Sequence, residues 1–145
     1  MARANARRVA LGTVAGGIVW SIWSMLVNAL ILSARYQAAE NSGQLLKQPR
    51  YPLFLLYWFV TLFLLTYILT WIYVSVRETL GPGPWTALRV GLLVGFAAGF
   101  PLSLSIASWA PFDRVFPFWW MIDLWVGAAL ATLVSASLYK DQPAS

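Results

Sequence analysis

Pro52–Val76 reads PLFLLYWFVTLFLLTYILTWIYVSV and contains no charged residue. As a helix rising ~1.5 Å per residue, it exceeds the ~30 Å hydrocarbon core of a bilayer. Three further runs of the same kind lie around it: Val9–Ser33, Trp85–Trp109 and Phe116–Tyr139. The last two hold one ionisable residue each in their interiors, Arg89 and Asp123. Four such spans nearly exhaust the 145 residues. The expected fold is therefore all-α, an integral membrane antiparallel four-helix bundle, with one transmembrane domain covering residues 1–145.

Composition bounds the chemistry. The chain is 60% hydrophobic and 10% charged, against about 45–50% and 25% in soluble domains. So small a chain cannot bury that much apolar surface, so lipid must cover much of it. There is no Cys and no His. Disulfides, thiol nucleophiles, ordinary zinc sites and imidazole ligation of haem or chlorophyll are thereby removed. The spans hold no nucleophile with a base beside it and no metal set, so no enzymatic activity is expected. The net charge of +5 comes from residues at span ends. There it serves topology and headgroup contact, and no nucleic-acid partner is expected.

The opening MARANARR (Met1–Arg8) resembles the charged part of a signal peptide. The apolar run behind it is too long, so the expectation is an uncleaved first helix. With that end inside, the cytoplasm receives Arg3, Arg7, Arg8, Arg77, Arg89 and Lys140, and the outside receives Arg35, Lys47, Arg50 and Arg114. The excess of basic residues favours both termini in the cytoplasm.

Each span has its own texture. The first carries a small and polar stripe, Gly12, Gly16, Gly17, Ser21, Ser24 and Asn28, and is expected to end near Arg35. A polar loop from Ala34 to Tyr51 follows, with a short interfacial helical turn up to Glu40 and a break at Ser42–Gly43. The second span is Leu-rich and aromatic, and Arg77 and Glu78 are expected to stop it. Gly81-Pro82-Gly83-Pro84 then makes a stiff reversal, because prolines donate no backbone hydrogen bond and glycines admit turn dihedrals. The third span carries Gly91, Gly95 and Gly99, with Ala87 before and Ser103 after. That face lets a neighbouring helix come close. It fits packing against the first or fourth span, or docking of a partner helix, lipid tail or flat cofactor. Pro101 is expected to kink this span's outer end. The fourth opens on Phe116, Phe118, Trp119 and Trp120, turns small at Gly127, Ala128, Ala131, Thr132 and Ser135, and leaves a frayed tail after Lys140.

Asp123 is the one carboxylate inside a span. A charge at mid-membrane costs about 3 kcal/mol on insertion scales, so such a residue turns into the bundle or a wet cavity. Counting from the outer ends, Asn28 lies at the same depth, and Tyr57 and Ser103 lie near it. One polar layer of Asn28, Tyr57, Ser103 and Asp123 is expected, with Arg35, Arg50 or Arg114 available to cap it. It serves either as a hydrogen-bond cluster that fixes helix register or as a binding or proton site. The aromatic content, 16% with nine Trp, suits lipid contact and also stacking against a carotenoid, quinone or chlorophyll. A pigment metal would need an oxygen ligand, such as Asn28, Asp123, a backbone carbonyl or water.

Several four-helix membrane families do not fit. Small multidrug exporters carry a mid-membrane carboxylate in the first helix, thiol–quinone oxidoreductases carry Cys pairs, and glutathione-dependent membrane enzymes carry Arg and Glu within the helices. Trp71-Ile72-Tyr73 through Arg77, followed by Gly81-Pro82-Gly83-Pro84-Trp85-Thr86-Ala87, resembles small bacterial four-helix membrane proteins of uncharacterised function. The likeness covers the middle third of the chain. It implies a bacterial inner-membrane location and brings no activity. The expected role is an accessory subunit of a larger membrane complex, in contact with lipid and other transmembrane subunits. By analogy its host is a photosynthetic or respiratory energy-converting complex. The alternative is a small carrier or channel for an apolar or weakly polar solute, lined by Asp123 and Asn28.

Overall fold

The computed structural model describes residues 5–140, and among these every regular element is helical. Arg3 and the tail after Lys140 lie outside the described residues. The elements are α1 (Ala6–Leu26), a π-helical stretch (Val27–Leu32), α2 (Ser33–Asn41), α3 (Phe54–Leu80), α4 (Pro84–Trp109) and α5 (Val115–Leu138). Four of the resulting helices are long and apolar enough to cross a membrane: Ala6–Asn41, Phe54–Leu80, Pro84–Trp109 and Val115–Leu138.

Two boundaries depart from expectation. The first span does not end near Arg35. Its π-helical stretch leads directly into α2, so one helical rod runs from Ala6 to Asn41. Residues 34–41 contain no proline or glycine to stop it. The stop comes at Gly43, which takes φ +76°. Likewise Arg77 and Glu78 do not end α3, since both are good helix formers. It continues to Leu80 and stops at Gly81, whose φ is +85°. Pro84 then opens α4 at its first turn, where a missing N–H costs nothing. Two bonds brace the reversal: Gly83 N–H donates to Tyr73 Oη at 3.3 Å, and Thr86 Oγ1 donates to the Gly81 carbonyl at 2.7 Å. Pro101 lies inside α4 without ending it.

α5 is the central helix. It packs against α1, α3 and α4, whereas the α1 and α4 backbones stay more than 8 Å apart between Cα atoms. Glycines set the close approaches. A Cβ built on Gly91 would lie 2.6 Å from Ala129 Cα, one on Gly95 would lie 2.8 Å from Ala128 Cβ, and one on Gly99 would lie 3.3 Å from Leu124 Cβ. The glycine stripe of α4 thus lies on α5, the fourth span, and not on the first. On α1, Gly12 meets Ser135 and Gly16 meets the Ala131 carbonyl. One turn further on, Trp20 Nε1 lies over Gly127. These steps of four residues, falling on α5 as they rise on α1, make the pair antiparallel and bring Ser24 to Asp123.

Candidate functional site

Asp123 is 1% exposed and sits on the α5 face that meets α1. Its Oδ2 accepts from Ser24 Oγ at 2.7 Å and from Asn28 Nδ2 at 3.4 Å. Asn28 Nδ2 also donates to the Ser24 carbonyl at 2.9 Å, and its Oδ1 accepts from Tyr36 Oη at 2.8 Å. Two indoles close the outer shell. Trp58 Nε1 donates to Ser24 Oγ at 3.0 Å, and Trp120 Nε1 donates to Tyr36 Oη at 2.8 Å.

The sense of this network follows from its ends. An indole N–H only donates. Ser24 accepts from Trp58, so its own proton is directed to Asp123. Tyr36 accepts from Trp120, so its proton is directed to the Asn28 amide oxygen. That turns the Asn28 amide nitrogen toward Asp123 and the Ser24 carbonyl, both acceptors. Apart from the Asn28 bond to the Ser24 carbonyl, the bonds therefore run inward and converge on Oδ2 of one carboxyl group. The other oxygen, Oδ1, is buried and accepts no hydrogen bond. The indole nitrogens of Trp20 and Trp23 are likewise buried without a partner.

The π-helical stretch positions Tyr36. In a regular α-helix, residues eight apart differ by about 80° around the axis. A π turn absorbs one extra residue. Tyr36 is then effectively seven steps from Asn28, within about 20° of its face. Beyond it a ring cluster seals the outer end. Tyr36 stacks on Phe116 at 5.1 Å between centroids, and Phe112 meets both Phe116 and Trp120 at 5.8 Å.

The four residues read as one polar layer do not stay together. Asn28 and Asp123 bond to each other. Tyr57 is 54% exposed and faces outward, because the inner face of α3 holds Leu62, Thr66, Leu69 and Tyr73 and residue 57 lies on the far side of it. Trp58, one residue on, takes the inward position. Ser103 is buried on the α4 stripe against α5, and no bond joins it to Asp123 or Asn28. Nor does Arg35, Arg50 or Arg114 cap the layer. Arg35 pairs with Asp113 at 3.1 Å in solvent-exposed positions, and Arg50 and Arg114 are exposed. Ser24, read only as part of the first span's small and polar stripe, and Tyr36, Trp58 and Trp120 are the participants that sequence reasoning missed.

No described group of three or more acidic, His or Cys residues can hold a metal ion. Two surface concavities do not reach Asp123. Both lie on the outer surface between α1 and α3. No known protein family, curated protein or solved structure matches the chain.

Proposed function

We propose that this chain is a non-enzymatic accessory subunit of a larger membrane assembly, with the Asp123 network as the lock that fixes its helix register. One observation carries this reading: the donors of α1, α2, α3 and α5 around Asp123 lead inward to its carboxyl group and tie those elements together. Interhelical hydrogen bonds of this kind bind transmembrane helices where no hydrophobic drive exists between them. In the same bundle Leu30, Leu55, Leu93 and Trp109 are exposed, which gives lipid or neighbouring helices a large apolar surface. The host in this proposal is a bacterial inner-membrane energy-converting complex, with both termini of the chain in the cytoplasm. The aromatic content and the distribution of basic residues support those two steps. Extraction in a mild detergent followed by native mass spectrometry tests the subunit role. Co-migration with other transmembrane chains is expected, and a monodisperse monomer with no partner would count against it.

One atom favours a second role. Asp123 Oδ1 is a buried acceptor with no donor, which is what a carrier would offer to a proton or to the N–H or O–H group of a solute. Reconstituted liposomes separate the two roles. A carrier loses flux in Asp123→Asn, whereas a lock keeps its assembly.

A further inference from the structure

Space decides first what can occupy the bare oxygen of Asp123. The residue is 1% exposed, and its Oδ1 is buried without a hydrogen bond. The two surface concavities between α1 and α3 are lined by residues other than Asp123 and its bonding partners. One turn along α5, the Trp20 indole lies so close over Gly127 that even a Cβ there would collide with it. A solute with an N–H or O–H group needs a cavity. A hard metal ion needs about six oxygen ligands, and one bare oxygen supplies one. A proton needs neither volume nor further ligands.

Charge leads to the same occupant. Both bonds to Asp123 come from neutral groups, Ser24 at 2.7 Å and Asn28 at 3.4 Å, and both end on Oδ2. The ionisable groups of the neighbouring elements lie elsewhere or are engaged. Arg7 and Arg8 on α1, Arg77 on α3 and Arg89 on α4 sit at the far ends of their helices, and α5 holds no ionisable residue besides Asp123. On α2, Arg35 pairs with Asp113 and Tyr36 bonds to Asn28, while Glu40 is a second acid. An ionised oxygen without a donor is the costliest polar group to bury, and a hydroxyl is far cheaper. The unused donors of the seam agree. The indole nitrogens of Trp20 and Trp23 are buried without an acceptor, and neither is turned to Oδ1. The two oxygens also differ as those of a carboxylic acid do: Oδ2 accepts twice, like a carbonyl, and Oδ1 accepts nothing, like the hydroxyl that a protonated carboxyl carries as its donor.

We propose that Asp123 Oδ1 is a proton-binding site: the carboxyl is held inside the bundle as the neutral acid, with its proton on Oδ1 and its carbonyl at Oδ2. The proposal rests on the geometry of the lock and not on the subunit role.

Infrared spectroscopy of the intact chain in bilayers at neutral pH tests it. The difference between parent and Asp123→Asn isolates one of five acidic side chains. A protonated-carboxyl band, present in the parent and lost in Asp123→Asn, is expected. Ser24→Ala should move that band to higher frequency, because it frees the Oδ2 carbonyl from its shorter hydrogen bond. If Asp123→Asn fails to fold, isotope-labelled aspartate gives the assignment in the parent, since the protonated band must move with the label. Carboxylate bands in the difference spectrum, with no protonated band, overturn the proposal. A protonated band that Ser24→Ala leaves in place overturns the assignment of the proton to Oδ1. Carboxylate bands together with an Asp123→Asn chain that keeps its assembly would remove the proton and leave the lock standing.

Discussion

The two sides of α5 are held by different means. Toward α4 it meets a glycine stripe, and the contact is backbone against backbone with few hydrogen bonds. Trp125 Nε1 donating to the Leu92 carbonyl at 3.0 Å is one of them. Toward α1 it meets serines, an asparagine and indoles, and the contact at Asp123 is a directed hydrogen-bond network. In lipid, neither side gains from a hydrophobic drive, so helices associate through close packing or through polar bonds. This bundle relies on close packing toward α4 and adds polar bonds to close packing toward α1, where Gly16 meets the Ala131 carbonyl and Gly127 meets the Trp20 indole. The consequence is a difference in tolerance: the α4 side answers to volume, and the α1 side answers to volume and, around Asp123, to hydrogen-bonding capacity as well.

Volume should give the largest effect. Gly91→Leu places a side chain where even a Cβ would lie 2.6 Å from the Ala129 backbone. The expected loss is about 3 kcal/mol or more, at the upper end of overpacked cores, read as a fall in thermal midpoint in detergent. Alanine sharpens the point: Gly91→Ala should cost more than Gly95→Ala, and Gly99→Ala least, following the approach distances of 2.6, 2.8 and 3.3 Å. A reversed order would mean that α4 shifts freely on α5.

On the other side, removing the acceptor comes next. Asp123→Leu leaves the Ser24 hydroxyl without its acceptor, at about 1–3 kcal/mol for a buried group left unpaired, while the Asn28 amide keeps the Ser24 carbonyl. Smaller still are the donors at the ends of the network. Trp58→Phe removes one link and Tyr36→Phe two, the bond to Asn28 and the bond from Trp120, and about 0.6 kcal/mol is the average for each such bond between transmembrane helices. Tyr57→Phe should change nothing, although it neighbours Trp58. An equal loss in Tyr57→Phe and Trp58→Phe would mean that the inner face of α3 is misassigned.

Depth along the membrane was legible in the sequence, and azimuth around each helix was legible only in part. Asn28 and Asp123 lie at one level by counting residues from the span ends, and they bond. Tyr57 lies at a similar level but faces outward. α3 is apolar on all sides, and lipid is as apolar as the core, so its sequence marks no inner face. The stripe on α4 is the opposite case. Small residues at every fourth position define one face, although which helix they meet depends on a bundle in which α1 and α4 stay apart. The π-helical stretch left no signal, since Val27–Leu32 holds no proline or glycine and is apolar apart from Asn28. Without its register shift, Tyr36 falls about 80° from Asn28 and reads as a loop residue.

The most direct test of the lock is the pair Asp123→Asn and Asp123→Leu, compared by thermal unfolding in detergent and by recovery of the native assembly. An amide oxygen can accept from Ser24 and Asn28 as Oδ2 does, so Asp123→Asn should stay close to the parent while Asp123→Leu falls well below it. If Asp123→Asn falls as far as Asp123→Leu, the negative charge itself matters more than the hydrogen bonds converging on it, and the network is not a structural lock.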